Sequence, residues 1–167
     1  MKAFDFRIIE YKASHKQQLL RLLIQLHGTY FHNGASVEIQ ELGEEKNIKK
    51  SYSDYIMQIN KNTIDTWKIL LAEIPGNNII GFIIGSINDD DYLVKSPAGK
   101  IEDWYVEENY RGRQIGMELY KELEKWFKEN GCKQVLSDTW NKNEISIKAH
   151  KKLGFFISGI SFGKILK

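Results

Sequence analysis
The sequence predicts an α+β domain built on a mixed, mostly antiparallel, twisted sheet of six to seven strands, flanked by about four helices in the order βααβββαβαββ. Three observations carry that expectation. The apolar runs Trp67 to Ile74 and Ile79 to Ile87 flank the compact turn Pro75-Gly76-Asn77-Asn78, which makes them an antiparallel hairpin. Ile115, Leu119, Leu123 and Phe127 recur every four residues up to Gly131, a helical stripe with a glycine stop. A length of 167 residues suits one core, so residues 1–167 are expected to form a single domain.

In chain order, Phe4 to Tyr11 reads as a first strand, with Phe4, Phe6 and Ile8 alternating to one side. Ser14 stands where a helix cap belongs. Leu19, Leu22, Leu23 and Leu26 then mark a helix from His15 to His27, stopping near Gly28. The stretch Phe31 to Lys61 is mixed and polar, and Tyr52, Tyr55, Ile56 and Ile59 suggest a second helix within it. After the hairpin, Asn88-Asp89-Asp90-Asp91 cannot be packed without large desolvation costs and Ser96-Pro97-Ala98-Gly99 breaks regular structure, so both belong to an exposed connection. There follow a strand from Lys100 to Val106, the turn Arg111 to Gly116 opening the helix, a strand from Lys133 to Asp138, a helix from Asn143 to Leu153, and two short strands within Phe155 to Leu166 about Ser158-Gly159. No internal repeat or interdomain linker is visible.

Composition narrows the function. With 42% hydrophobic and 28% charged residues the chain supplies both a core and a solvated surface, which argues against general disorder. The single cysteine, Cys132, rules out an intramolecular disulfide and a multi-cysteine zinc site; no metal is expected, and a reducing compartment fits. A net charge of +2, with 24 Lys and Arg spread along the chain, disfavours a dedicated nucleic-acid binder. Met1 to Glu10 carries Lys2, Asp5, Arg7 and Glu10 and has no signal-peptide core, and no run approaches the roughly 18 apolar residues that span a bilayer. A cytoplasmic protein with no membrane partner is the expectation.

The most informative segment is Arg111-Gly112-Arg113-Gln114-Ile115-Gly116. A strand running through a glycine turn into a helix presents unpaired amides and the positive end of the helix dipole to one point, which attracts phosphate. Gly112 and Gly116 permit close approach, and two arginines add charge; a plain loop-to-helix junction with solvated arginines is the alternative. It is not a Walker loop, because no Lys followed by Ser or Thr is present. Preceded by Ile101-Glu102-Asp103-Trp104-Tyr105-Val106, the turn resembles the acetyl-CoA motif of the GNAT N-acetyltransferase superfamily: Arg or Gln, two residues, Gly, one residue, Gly or Ala, after a strand ending in a Tyr-Val-like pair. Gln114 stands where that family usually has glycine; glutamine is helix-compatible in a first turn, so the site is expected to persist.

A second element is independent of the first. Asn143, Ser146 and His150 share one helix face, and Leu153-Gly154-Phe155 closes that helix. The stretch resembles the second GNAT signature, an asparagine, a small residue three on, a tyrosine four further, then Gly-Phe, with His150 at the tyrosine position. The resemblance implies the GNAT fold and acetyl-CoA as co-substrate. It implies that Trp104, Tyr105, Val106, Arg111, Gly112, Arg113, Gln114, Ile115, Gly116, Met117, Asn143 and Ser146 bind the coenzyme, with the pantetheine arm in a wedge between the two strands. It also implies that His150 protonates the departing thiolate; an imidazole does so only when protonated or through a water, and a lone helix histidine has a structural alternative.

Acetyl transfer needs a deprotonated amine, a polarised thioester and an acid for the thiolate. Glu102 and Asp103 alternate on the strand, so only one is expected to look into the acceptor cleft; Glu102 is the preferred base or water-positioning group, with cross-strand ion pairs as the alternative for both. Glu102, Tyr105-Val106, Ser137-Asp138-Thr139, Ser146, His150 and Leu153-Gly154-Phe155 look like the aminoglycoside 6'-N-acetyltransferases of the superfamily, and Glu102-Asp103 also resembles the polyamine acetyltransferases. Either resemblance implies a small cationic amine bound by Glu102, Asp103 and Asp138, with the Asp89–Asp91 run as a further acidic element. Protein or peptide amines remain a third acceptor class, a non-catalytic acyl-CoA sensor is the non-enzymatic reading, and a homodimer is allowed.

Overall fold
A computed structural model describes residues 4–34, 36–37, 47–61, 66–88 and 97–161. These fall into two compact units, one drawn from Met1–Leu26 and Asn47–Asp138, the other from His27–Lys46 and Thr139–Lys167. The acidic run Asp89–Asp91 lies outside the described residues.

The first unit holds a sheet in the spatial order β1-β2-β3-β4-β5: β1 (Arg7–Glu10), β2 (Trp67–Ile74), β3 (Asn78–Asn88), β4 (Ala98–Val106) and β5 (Gln134–Ser137). Neighbours pair antiparallel except β4 with β5, which run parallel. On one face lie the start of α1 (Lys16–Gly34) and α2 (Ile48–Lys61), whose Leu19, Leu22, Leu23 and Ile56 form one buried cluster with Ile69, Leu71, Phe82, Ile84 and Tyr105. The other face receives α3 (Ile115–Glu129) through buried Leu119, Leu123 and Phe127. Covering both faces explains why β2 and β3 read as continuous apolar runs rather than alternating ones. Each side chain so buried contributes about 1.5–3 kcal/mol.

α3 approaches closely because two strand residues have no side chain. A Cβ on Gly85 would stand 2.7 Å from Leu123, and one on Gly99 would stand 2.6 Å from the Phe127 ring. At the opposite end Arg21 of α1 ties the exit of β4 in place, pairing with Glu107 and donating to the Ile79 carbonyl at 2.8 Å.

Several boundaries differ from expectation for identifiable reasons. Ser14 lies inside a 3-10 turn, Ala13–His15, and the Lys12 amide is satisfied by His15 Nδ1 at 3.0 Å, so α1 begins at Lys16. Gly28 does not stop α1; a mid-helix glycine costs about 0.5–1 kcal/mol, too little to break a helix anchored by four buried leucines. The sheet has five strands among the described residues, fewer than the six to seven expected, because 155–161 runs without regular structure; 162–166, where the last expected strand falls, lies outside the described residues. The second unit includes the last turns of α1, residues 27–34, and α4 (Glu144–Lys152), which has no fully buried residue. No described helix is long and apolar enough to cross a membrane.

Candidate active site
β4 is the organising strand. Its parallel pairing with β5 covers Ala98 to Ile101, matched to Gln134 to Ser137, and ends where β5 ends. Along its other edge β4 continues beside β3 as far as Val106. The register along that edge shifts: Asp103 faces Ile84 and Ile101 faces Gly85, leaving Glu102 as an extra residue. A bulge of this kind bends its strand. It falls at the first residue beyond the β5 pairing, so from Glu102 onward β4 has no partner strand on its β5 edge among the described residues.

The bulge also overturns the expectation that Glu102 and Asp103 point to opposite faces. Lys100 faces Ser86 and Asp103 faces Ile84, two residues apart on β3 and therefore on one face. Glu102 joins that face, accepting from Ser86 Oγ at 2.5 Å and pairing with Lys100 Nζ at 3.1 Å. Asp103 accepts from the Tyr55 hydroxyl of α2 at 2.9 Å. Two carboxylates and one lysine thus share the face opposite α3. Asp138, mostly exposed, reaches Lys100 Nζ at 3.9 Å. Burial, followed by the neighbouring Glu102 charge, raises the Asp103 carboxyl above its usual range, while the Tyr55 hydrogen bond and Lys100 pull it down. Protonation of Asp103 therefore favours folding; that gain is full below the ordinary carboxylate range and is lost as pH rises through the raised value.

Beyond Val106 the chain makes a 3-10 turn, Glu108–Tyr110, and reaches the glycine turn. Gly112 has φ +76 and Gln114, the cap of α3, has φ +66. Gln114 offers no side-chain cap, and the first helical bond runs from the Glu118 amide to the Gln114 carbonyl at 3.0 Å. The amides of Ile115, Gly116 and Met117 precede the first amide that a helix carbonyl serves, the arrangement that receives a phosphate. Gly116 lets α3 sit on β4: a Cβ there would lie 3.1 Å from the Trp104 indole. Arg111 Nε donates to the Val106 carbonyl at 3.0 Å, with its guanidinium 5.6 Å from the Tyr105 ring centre. Arg113 stacks 4.4 Å over Phe4 and 5.8 Å from Tyr110.

Gln114 is thus not in a helical first turn, as expected, but in the left-handed region, which costs a side chain about 1–2 kcal/mol. Gln114→Gly is expected to raise Tm by about 2–4 °C, net of the entropy glycine adds to the unfolded chain. An unchanged or lowered melting temperature would mean that the glutamine side chain is anchored strongly enough to offset the strain.

In the second unit, Asn143 caps α4, its Oδ1 accepting from the Ser146 amide at 3.2 Å. His150 Nδ1 stands 2.7 Å from the Ser146 carbonyl and 3.2 Å from Ser146 Oγ, and its ring meets Phe155 edge-on at 5.1 Å. Gly154, at φ +88, turns the chain out of the helix. Asn143, Ser146 and His150, which the spacing placed on one helix face, are also joined by hydrogen bonds. Four participants in the first unit were not singled out from the sequence as site residues: Tyr55, Ser86, Lys100 and Phe4. Only Tyr55 left a signal, a hydroxyl on an otherwise apolar helix face that needs a partner.

Comparison with known proteins identifies the family and the fold. Residues 37–155, well over half of the chain, match the family model described as "Acetyltransferase (GNAT) family". Glucosamine 6-phosphate N-acetyltransferase 1 of Dictyostelium discoideum is 27% identical over 132 residues, covering 78% of this chain and 81% of that enzyme. Aminoglycoside N(6')-acetyltransferase type 1 of Klebsiella aerogenes is 33% identical over 90 residues, covering 52% of this chain and 58% of that enzyme. Among solved structures, AAC(6')-Iy in complex with the bisubstrate analogue CoA-S-monomethyl-acetylneamine superposes with a TM-score of 0.71 at 22% identity, over 98% of this chain and 99% of that one, a likeness of fold. The chain belongs to the GNAT acetyltransferase family and is an acetyl-CoA-dependent N-acetyltransferase.

Proposed function
We propose that the protein transfers the acetyl group of acetyl-CoA to a primary amine of a small polycationic acceptor of aminoglycoside type. The observation that carries this reading is the placement of Glu102 and Asp103 on one face where the pairing of β4 with β5 ends, with Lys100 the only cation paired to them among the described residues. Acetyl-CoA supplies the activated acetyl group. The amides of Ile115, Gly116 and Met117 hold its pyrophosphate, backed by the Arg111 and Arg113 side chains, and main-chain groups of Trp104 and Val106 align the pantetheine arm beside β4. Glu102, oriented by Ser86 and Lys100, draws in the ammonium group and takes its proton directly or through a water; Asp103 and Asp138 hold further positive charge. His150 delivers a proton to the departing thiolate, and Asn143 and Ser146 keep its helix and ring in place.

Glucosamine 6-phosphate is the second reading, favoured by the similarity to the Dictyostelium discoideum enzyme over most of its length. The two acceptors differ in charge: a phosphorylated amino sugar brings a dianion toward Glu102 and Asp103, a polycation brings the complementary sign. Thiol release from acetyl-CoA, measured with aminoglycosides, spermidine, short peptides and glucosamine 6-phosphate, separates them. The polycations are expected to give the highest kcat/KM; a higher value for glucosamine 6-phosphate would reverse the assignment.

A further inference from the structure
The Tyr55 phenol joins α2 to the carboxylates of β4. It sits beside the buried Ile56 and Ile59, and the rings of Tyr52 and Trp67 meet it edge-on at 6.4 and 6.2 Å. Its hydroxyl is aimed at Asp103 Oδ2, 2.9 Å away. Burial first, then Asp103, hold that hydroxyl far above the usual phenol range, so at every pH the folded protein meets it is a donor and never a competing anion. Among the described residues, the titratable and charged groups around the pair are Tyr52 on α2 and Glu102 and Lys100 on β4. Lys100 is engaged by Glu102 at 3.1 Å. Asp103 is thus a second carboxylate beside the first, held by a neutral donor, with no salt bridge of its own among the described residues.

We propose that Tyr55 is a positioning residue that fixes Asp103 as an oriented anion beside Glu102, and that this pair selects acceptors carrying two ammonium groups over acceptors carrying one. The inference rests on the reading that the acceptor amine enters at Glu102, and deepens it by assigning the residue that sets charge selectivity. One ammonium group meets Glu102 and reacts; the second meets Asp103 and stays protonated. Without the Tyr55 hydroxyl, Asp103 turns away or takes up a proton, and the second contact is lost.

The test compares diaminopentane with aminopentane, equal in length and different in charge, on the wild type, Tyr55→Phe and Asp103→Asn. Binding is read by calorimetry with coenzyme A present and turnover by thiol release. The wild type is expected to prefer the diamine. Tyr55→Phe should raise its KM about ten- to a hundredfold, the range for a hydrogen bond to a charged group, with kcat, the acetyl-CoA KM and the monoamine little changed. The acid limb of kcat/KM for the diamine should move to higher pH, because removing a donor that favours the carboxylate lets Asp103 protonate earlier. Asp103→Asn should lose the same selectivity while melting no lower than wild type at neutral pH, since it removes a charge whose burial opposes folding.

Equal losses for both amines, or a Tyr55→Phe enzyme with unchanged selectivity and acid limb, would overturn the proposal. A wild type that binds the diamine in a Tyr55-dependent way but acetylates neither amine would uphold the charge pair and reject amine acetylation at this site. A wild type that binds both amines alike would overturn the proposal even if it acetylates both.

Discussion

Glu102→Gln is expected to lower kcat/KM for a cationic amine by about 100- to 10,000-fold, the usual contribution of a positioned acid or base, with acetyl-CoA affinity unchanged. The substitution keeps the shape of the side chain and removes its charge. Glu102 stands at the bulge where the pairing of β4 with β5 ends, is one-fifth exposed, and is held from two sides by Ser86 at 2.5 Å and Lys100 at 3.1 Å. Those contacts fix the direction of the carboxylate without removing it from solvent, which is what a group accepting a proton from an incoming ammonium requires. They also supply the competing account, in which Glu102 serves only as a cross-strand partner of Lys100. Partly exposed pairs of that kind contribute about 1 kcal/mol or less, so under the competing account Glu102→Gln would shift the melting temperature slightly and leave kcat/KM within a few-fold. A parallel loss of acetyl-CoA binding would instead indicate a deformed strand, because the proposed coenzyme site uses the same strand.

The elements legible in the sequence are those whose burial is periodic. Trp67 to Ile74 was delimited to the residue, and Ile115, Leu119, Leu123 and Phe127 marked α3 because each of them is buried against the sheet. What escaped the sequence has a common cause, which is backbone geometry that residue type does not encode. Strict alternation along β4 placed Glu102 and Asp103 on opposite faces, and one inserted residue at the bulge reversed that result. Gln114 looked like a helix former, yet it occupies a left-handed position where glycine is the cheaper residue. Phe4 was read as strand and instead supports Arg113 from outside the sheet. The coenzyme half of the candidate site was therefore readable from two local motifs. In the proposed acceptor half Glu102, Asp103 and Asp138 were legible as carboxylates, but Tyr55 was not, because it meets Asp103 across 48 positions of chain and no local pattern announces such a meeting.

His150→Ala is expected to lower kcat by about 100- to 10,000-fold, with acetyl-CoA affinity and melting temperature much less affected. The hydrogen bond at Nδ1 sharpens this expectation. A backbone carbonyl only accepts, so at 2.7 Å from the Ser146 oxygen Nδ1 carries a hydrogen. Nε2 then bears a proton only in the imidazolium form, and donation to a thiolate from Nε2 requires the cation. Proton delivery by His150 therefore predicts that His150→Gln, which keeps a hydrogen-bonding side chain but has no acidic proton to give, loses about as much kcat as His150→Ala. The contacts to Ser146 and to Phe155 at 5.1 Å define the structural alternative, in which the ring merely secures the end of α4 before the Gly154 turn. In that case His150→Ala would lower the melting temperature and weaken coenzyme binding, and kcat at saturating acetyl-CoA would match wild type across about pH 6 to 9. A tyrosine at this position, the residue the family motif carries, is the decisive replacement: a phenol is protonated throughout that range, so His150→Tyr is expected to recover part of the kcat that His150→Ala loses, whereas under the structural alternative it would change kcat no more than His150→Ala does.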